Sequence, residues 1–118
     1  MTAVVAIDVV APVAAWEAVG LSMTNGVASV GGIELRFRDP VPGEAPRVDR
    51  WVLAGCPTAV DRIDGLATAH EVAASVNHVP NALGAVAFDH LVVMTSSLER
   101  TCGEIERLTG EPLKRIRE

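Results

Sequence analysis

Apolar and polar positions follow three rhythms along this chain, and each predicts a different element. Ala3 to Val10 is an almost unbroken run, interrupted only by Asp8 and rich in β-branched residues, which predicts a strand buried on both faces. Pro12 stands where the first turn of a helix tolerates it, and "VAAWEAV" predicts a short helix closed by Gly20, with Trp16 as its core anchor. From Ile33 to Arg38 the period is two. Ile33, Leu35 and Phe37 alternate with Glu34, Arg36 and Arg38, which predicts a strand with one buried and one wet face. Asn25-Gly26 marks a turn, and Gly31-Gly32 between "VASV" and "IELRF" marks a two-residue hairpin. "DPVPGEAP" predicts a mobile loop, and "RVDRWVLAG" another strand. The first half therefore predicts β-α-β-β-β over residues 1–55.

Residues 56–84 carry many small residues with Pro, Gly and Asn punctuation. They predict a connector between two units, with a short strand or helical turn around residues 60–66. The rhythm then restarts in 85–118. "AVAFDHLVVM" predicts a strand, and "TSSLERTCGEIERLTG" shows the helical period, with Leu98, Cys102, Ile105 and Leu108 on one face. Ser96 and Glu99 have capping-box spacing, Gly110 and Pro112 stop the helix, and "PLKRIRE" predicts the start of a further strand.

Composition narrows the function classes. A chain of 118 residues with 49% hydrophobic and 21% charged residues suits a single globular domain of α+β class. A net charge of −5 argues against nucleic acid or an anionic membrane surface as partner, since both require clustered Lys and Arg. The basic end (Lys114, Arg115, Arg117) is interleaved with Glu111 and Glu118 and reads as a solvated terminus. The absence of Tyr and an aromatic share of 3% leave no stacking platform for single strands. Cys56 and Cys102 have no disulfide or zinc spacing, which fits a reducing compartment. The apolar N-terminus lacks a basic region and no run is long enough to span a bilayer, so a cytoplasmic location is expected.

"AIDVVAPVAAWEAVGL" and "FDHLVVMTSSLERTCGEIERLTGEPL" share an order: a strand broken by an acid or a histidine, a helix closed by glycine, then a new strand. Here the chain resembles the vicinal oxygen chelate superfamily, which includes glyoxalase I, bleomycin-resistance proteins and extradiol dioxygenases. The resemblance rests on "FDHLVVMTSSLERTCGEIERLTG" and extends more loosely over residues 3–55. It implies βαβββ modules whose sheets pair into a cup around a ligand. On that pattern the chain is one glyoxalase-like module followed by the β-α start of a second. Further chain or a partner copy would complete the second module, the latter giving a homodimer. A self-sufficient smaller domain is the other reading.

The resemblance also implies a metal ligand at His90, with Asp8 opposite it on the repeat. No Glu stands near Val52 or Leu53, where the first module's acid would fall, and Asp49 lies nearer the start of that strand. A catalytic metal needs about three protein ligands and an open position, so a divalent metal is disfavoured. Arg36, Arg38 and Arg50 are candidates to clamp an anionic ligand, with Trp51 beside them. His70 and His78 read as exposed loop histidines, Asp61, Asp64 and Asp8 as solvated acids, and Cys102 as packing. "GVASVGG" lacks the Gly-Lys-Ser/Thr of a phosphate loop. Two readings of different class result, and whether the protein is an enzyme is left open between them. One is a glyoxalase-type enzyme, lyase or dioxygenase, in which a metal polarises substrate and a carboxylate moves a proton. The other, favoured by the missing acid, is a metal-free small-molecule binder of bleomycin-resistance type. A dimerising domain without a small ligand is a third.

Overall fold

The computed structural model describes residues 2–73 and 76–112. Eight elements follow one another: β1 (Ala3–Val10), α1 (Val13–Ala18), β2 (Val27–Val30), β3 (Ile33–Arg38), β4 (Arg47–Ala54), β5 (Arg62–Ile63), β6 (Leu66–His70) and α2 (Leu98–Thr109). All six strands form one mixed sheet in the order β2-β3-β1-β4-β6-β5. β1 lies at its centre, parallel to β3 and antiparallel to β4. The expected β-α-β-β-β order over the first half is present, and the fold is α+β.

Strand register explains the two faces. Ala28, Leu35, Ile7, Trp51 and Thr68 stand side by side across five strands. This is the apolar face. At one end Leu21, Ala28 and Val30 form a buried cluster with Met23, Leu35, Phe37 and Ala85. At the other, Leu53 and Ile63 meet Leu108 and Ile105 of α2. Full burial of each such aliphatic side chain contributes about 1.5–3 kcal/mol relative to exposure. One residue further along, Val27, Arg36, Asp8, Arg50 and Ala67 form the next row, which the pleat turns to the opposite side.

Several elements differ from expectation, each for a physical reason. α1 buries no residue fully: Trp16 is 40% exposed and lies tilted on Phe37, with ring centroids 5.7 Å apart. The helix is too short to bury an apolar stripe, and it is Leu21, just beyond it, that enters the core. The proline-rich loop is tied down rather than loose. Asp39 accepts the Val13 N–H at 2.9 Å, and Glu44 accepts Arg38 at 2.8 Å and the Val41 N–H at 3.0 Å. The segment read as a connector holds a short strand, β5, where a short strand or turn was expected, and also β6, which pairs in parallel with β4, so it extends the first sheet.

The largest difference concerns residues 85–94, which form no strand. A strand needs a partner running alongside it, whereas this segment crosses the sheet. Ala85 packs on the Leu21 cluster, Val86 and Ala87 press on Gly31, and residues 91–94 reach Val48, Gly65 and Leu66. Gly31 is required at that crossing. Its φ is +60°, and a Cβ there would come within 2.8 Å of Ala87 Cα and the Val86 carbonyl. Among the described residues there is one sheet and no second module sheet.

α2 is capped by Ser97 rather than Ser96. The Ser97 hydroxyl accepts the Arg100 N–H at 3.3 Å, and Gly110 closes the helix in the left-handed region. Its buried side turns towards Thr101 and Leu108, leaving Leu98 at 46% exposure. The strand expected from "PLKRIRE" and the basic end at Lys114, Arg115 and Arg117 lie outside the described residues, apart from Pro112. No described helix is long and apolar enough to cross a membrane.

Candidate functional site

The row Arg36–Asp8–Arg50 crosses three strands at the polar face, with Asp8 opposite Arg36 on β3 and opposite Arg50 on β4. Opposite charges directly across a sheet attract, yet Asp8 takes only one of its two neighbours. Arg50 donates from Nε at 2.8 Å to Asp8 Oδ2, and its Nη2 stands 2.7 Å from the same oxygen as an ion pair. Arg36 is drawn the other way. It forms a two-pronged pair with Glu71 at 2.7 and 3.0 Å and also holds Glu34 at 2.9 Å. Asp8 Oδ1 is consequently buried with no hydrogen-bond partner among the described residues.

Glu71 reaches Arg36 from the far side of the sheet. It follows β6 directly, its N–H donates to the Leu53 carbonyl at 2.9 Å, and its carboxylate meets the guanidinium that Arg36 extends from β3. Next to this pair, Arg38 forks onto both oxygens of Glu44 at 2.8 Å, and Arg47 joins Glu44 and Asp49 at 2.9 Å each. Asp8, Arg36, Phe37, Arg38, Asp49 and Arg50 all line one open cavity of about 270 Å³. A bulge in the β1–β4 ladder between Asp8 and Val9 lies at its floor; bulges re-aim side chains in this way.

The electrostatics favour the ionised forms of Glu71, Glu44 and Arg36. Hydrogen bonds from Arg36 hold the Glu71 carboxyl below its usual range, against the opposing effect of burial. Glu44 is lowered further, to about 2, chiefly by the Arg38 fork and then by the Val41 N–H. Glu71 and Glu34 in turn raise the Arg36 guanidinium above its already high value. A general acid or base works best with a pKa near the operating pH. Glu71 and Glu44 are tuned away from it, so they suit charge pairing and binding rather than proton transfer.

Of the residues singled out in the sequence, the structure brings Arg36, Arg38 and Arg50 together. Trp51 belongs elsewhere. It is one position along from Arg50, so the pleat turns it to the apolar face, where its Nε1 donates to Thr68 Oγ1 at 2.6 Å and its ring packs beside Leu53. His90 lies in the crossing segment, 70% exposed and paired at 2.6 Å with Asp89. Among the described residues no three His, Cys, Asp or Glu side chains assemble into a set that could hold a metal ion. With a guanidinium already on Asp8 and only an exposed acid beside His90, these residues do not fit a divalent-metal centre.

His70 and His78 are exposed, as expected, and each also makes a backbone contact. His78 Nδ1 accepts the Gly31 N–H at 3.1 Å, and His70, the last residue of β6, bonds the backbone of Val60. Asp64 is not a solvated acid either: it accepts from Arg100 Nε at 2.7 Å and from the hydroxyls of Thr95 and Thr101. Sequence reasoning missed Glu71, Glu34, Glu44 and Asp49 as members of the cluster. The spacing of two from Glu34 to Arg36 and from Arg47 to Asp49 was a readable sign of same-face pairing on a strand. Nothing local ties Glu71 to Arg36, which lies 35 residues earlier. No protein-family model matches the chain, and neither a curated protein nor a solved structure matches it.

Proposed function

We propose that this protein is a metal-free binder of a small anionic molecule, held in the groove above Asp8 by Arg36, Arg38 and Arg50. One observation carries this reading: three arginines from two strands separated by β1 converge on a single open cavity. Guanidinium forks match carboxylate and phosphate geometry and keep their charge at every physiological pH. The forks are held in place by Glu71, Glu44 and Asp8, so the groove is pre-organised. Among the described residues Arg36 Nε and Arg50 Nη1 have no hydrogen-bond acceptor, leaving donors for an incoming anion. Cys56 and Cys102 are free thiols, in keeping with a cytoplasmic setting. The family reading that accompanies this function is the bleomycin-resistance type of glyoxalase-like protein, which sequesters its ligand without chemistry.

Thermal-shift titration with phosphate and short carboxylates tests the proposal. Binding to the native state alone raises Tm in proportion to the logarithm of ligand concentration. Arg36→Ala and Arg50→Ala should each remove the shift, while Arg107→Ala, on α2, should keep it. An absence of any anion-dependent shift, or a shift surviving in both groove variants, overturns the assignment.

A further inference from the structure

The orphaned oxygen of Asp8 indicates what kind of anion the groove accepts. We infer that the ligand is a small carboxylate bearing a hydrogen-bond donor on the adjacent carbon, an α-hydroxy or α-amino acid, whose donor is taken by Asp8 Oδ1. This rests on the groove being an anion-binding site and specifies its substrate class.

Three observations converge. First, the two oxygens of one carboxylate are treated unequally: Oδ2 accepts the Arg50 Nε–H and lies against its Nη2, whereas Oδ1 is buried without a described partner. Buried polar atoms are normally satisfied, and an exception calls for a missing donor. Second, the group best placed to satisfy it is engaged elsewhere. Arg36 stands directly across from Asp8, but Glu71 and Glu34 hold its fork. Third, Asp8 lines the same cavity as Arg50 and Arg38, and its side chain retains 18% exposure. Oδ1 itself is buried, so a turn about this broad terminal torsion is required to present it to the cavity.

An anion seated on Arg50 therefore lies beside an acceptor on the very carboxylate that Arg50 grips. A donor and a carboxylate that meet both groups at once must sit on neighbouring atoms of the ligand. The open cavity of about 270 Å³ accommodates molecules of this size. Simple alkanoates would leave Oδ1 unpaired, and an anion with an acceptor on that carbon would meet it with repulsion.

The test uses the full chain and matched probes: L-lactate and L-alanine against propionate, with Kd values read from thermal-shift titration. Lactate or alanine should bind about tenfold or more tightly than propionate, the scale expected when a site loses its partner for a buried acceptor. In Asp8→Asn the amide oxygen must turn to the obligate donors of Arg50, which puts the NH2 group where Oδ1 was. The preference for alanine, whose ammonium group can only donate, should then fall to about one or below. If Asp8→Asn does not fold, Glu71→Gln serves instead: with Glu71 weakened, Arg36 can turn to Oδ1, and the preference should again fall. Propionate binding as tightly as both other probes, or an alanine preference unchanged in a folded Asp8→Asn, overturns the inference and leaves the anion site standing. No shift with any probe or with phosphate removes the anion site itself.

Discussion

Glu44 sits in a loop whose three prolines and glycine read as loose, yet it collects Arg38, Arg47 and the Val41 N–H on one carboxylate. Its carboxyl is lowered from 4.5 to about 2. A carboxyl depressed on folding contributes stability that is fully present above its unfolded value and is lost as pH falls towards the folded one. The Glu44 contribution is thus intact above about pH 4.5 and disappears between there and about pH 2. Glu71 and Asp64 are lowered too, and act in the same direction. We expect Tm to fall steeply between pH 5 and pH 2.5 and Glu44→Gln to flatten part of that slope; a Tm that stays level for the natural sequence across this range would contradict the assigned pairs. Arg38 and Glu44 lie six residues apart and still went unpaired in the sequence, because proline and glycine content reports backbone preference and not what a side chain reaches. Arg36, Arg38 and Arg50 were legible as candidates because strand alternation sets their face. Trp51 was misplaced by one residue of pleat.

At the scale of elements, the unbroken run of β1, the period of two in β3 and the helical period of α2 located these elements well, since each buries a face that its own sequence specifies. Residues 85–94 show where rhythm alone is insufficient. Their alternation is real: Leu91 and Val93 turn inward, while Val92 and Met94 stand 67% and 87% exposed. A strand also requires a ladder partner, however, and a segment that crosses other strands has none. Helix capping separates two adjacent serines equally sharply. Ser96 carries the sequence spacing of a cap, but Ser97 has the extended backbone, φ −143° and ψ 97°, and makes the bond to Arg100. Thr95 fixes this choice by accepting the Ser97 N–H at 3.0 Å and donating to its carbonyl. Ser97→Ala should therefore cost about 1 kcal/mol, and Ser96→Ala less than about half of that, as judged by urea denaturation. Equal losses would return the cap to Ser96.

For the whole molecule, the decisive fact is that β6 pairs with β4 and that α2 packs on β5, so both halves of the chain contribute to one sheet and one core. Leu108, 1% exposed, is the main link, meeting Leu53 from the first half and Ile63 from the second. Asp64 adds a polar link, joining the β5–β6 turn to Thr95, Arg100 and Thr101 at the start of α2. None of this was visible as a boundary in the sequence, because the small residues of 56–84 that read as linker are those that let a short hairpin lie against an already formed strand. A chain built in this way should unfold in one step. Helix signal in far-UV circular dichroism and tryptophan fluorescence from Trp16 and Trp51 should trace the same urea transition. Leu108→Ala, which opens a cavity between α2 and the sheet, should lower stability by about 2–5 kcal/mol and move both signals together. If the variant instead loses helix signal first while the fluorescence transition keeps its midpoint, α2 and the sheet are separate cooperative units. The paired-module organisation that the repeat suggests would then describe the folding energetics better than the single sheet does.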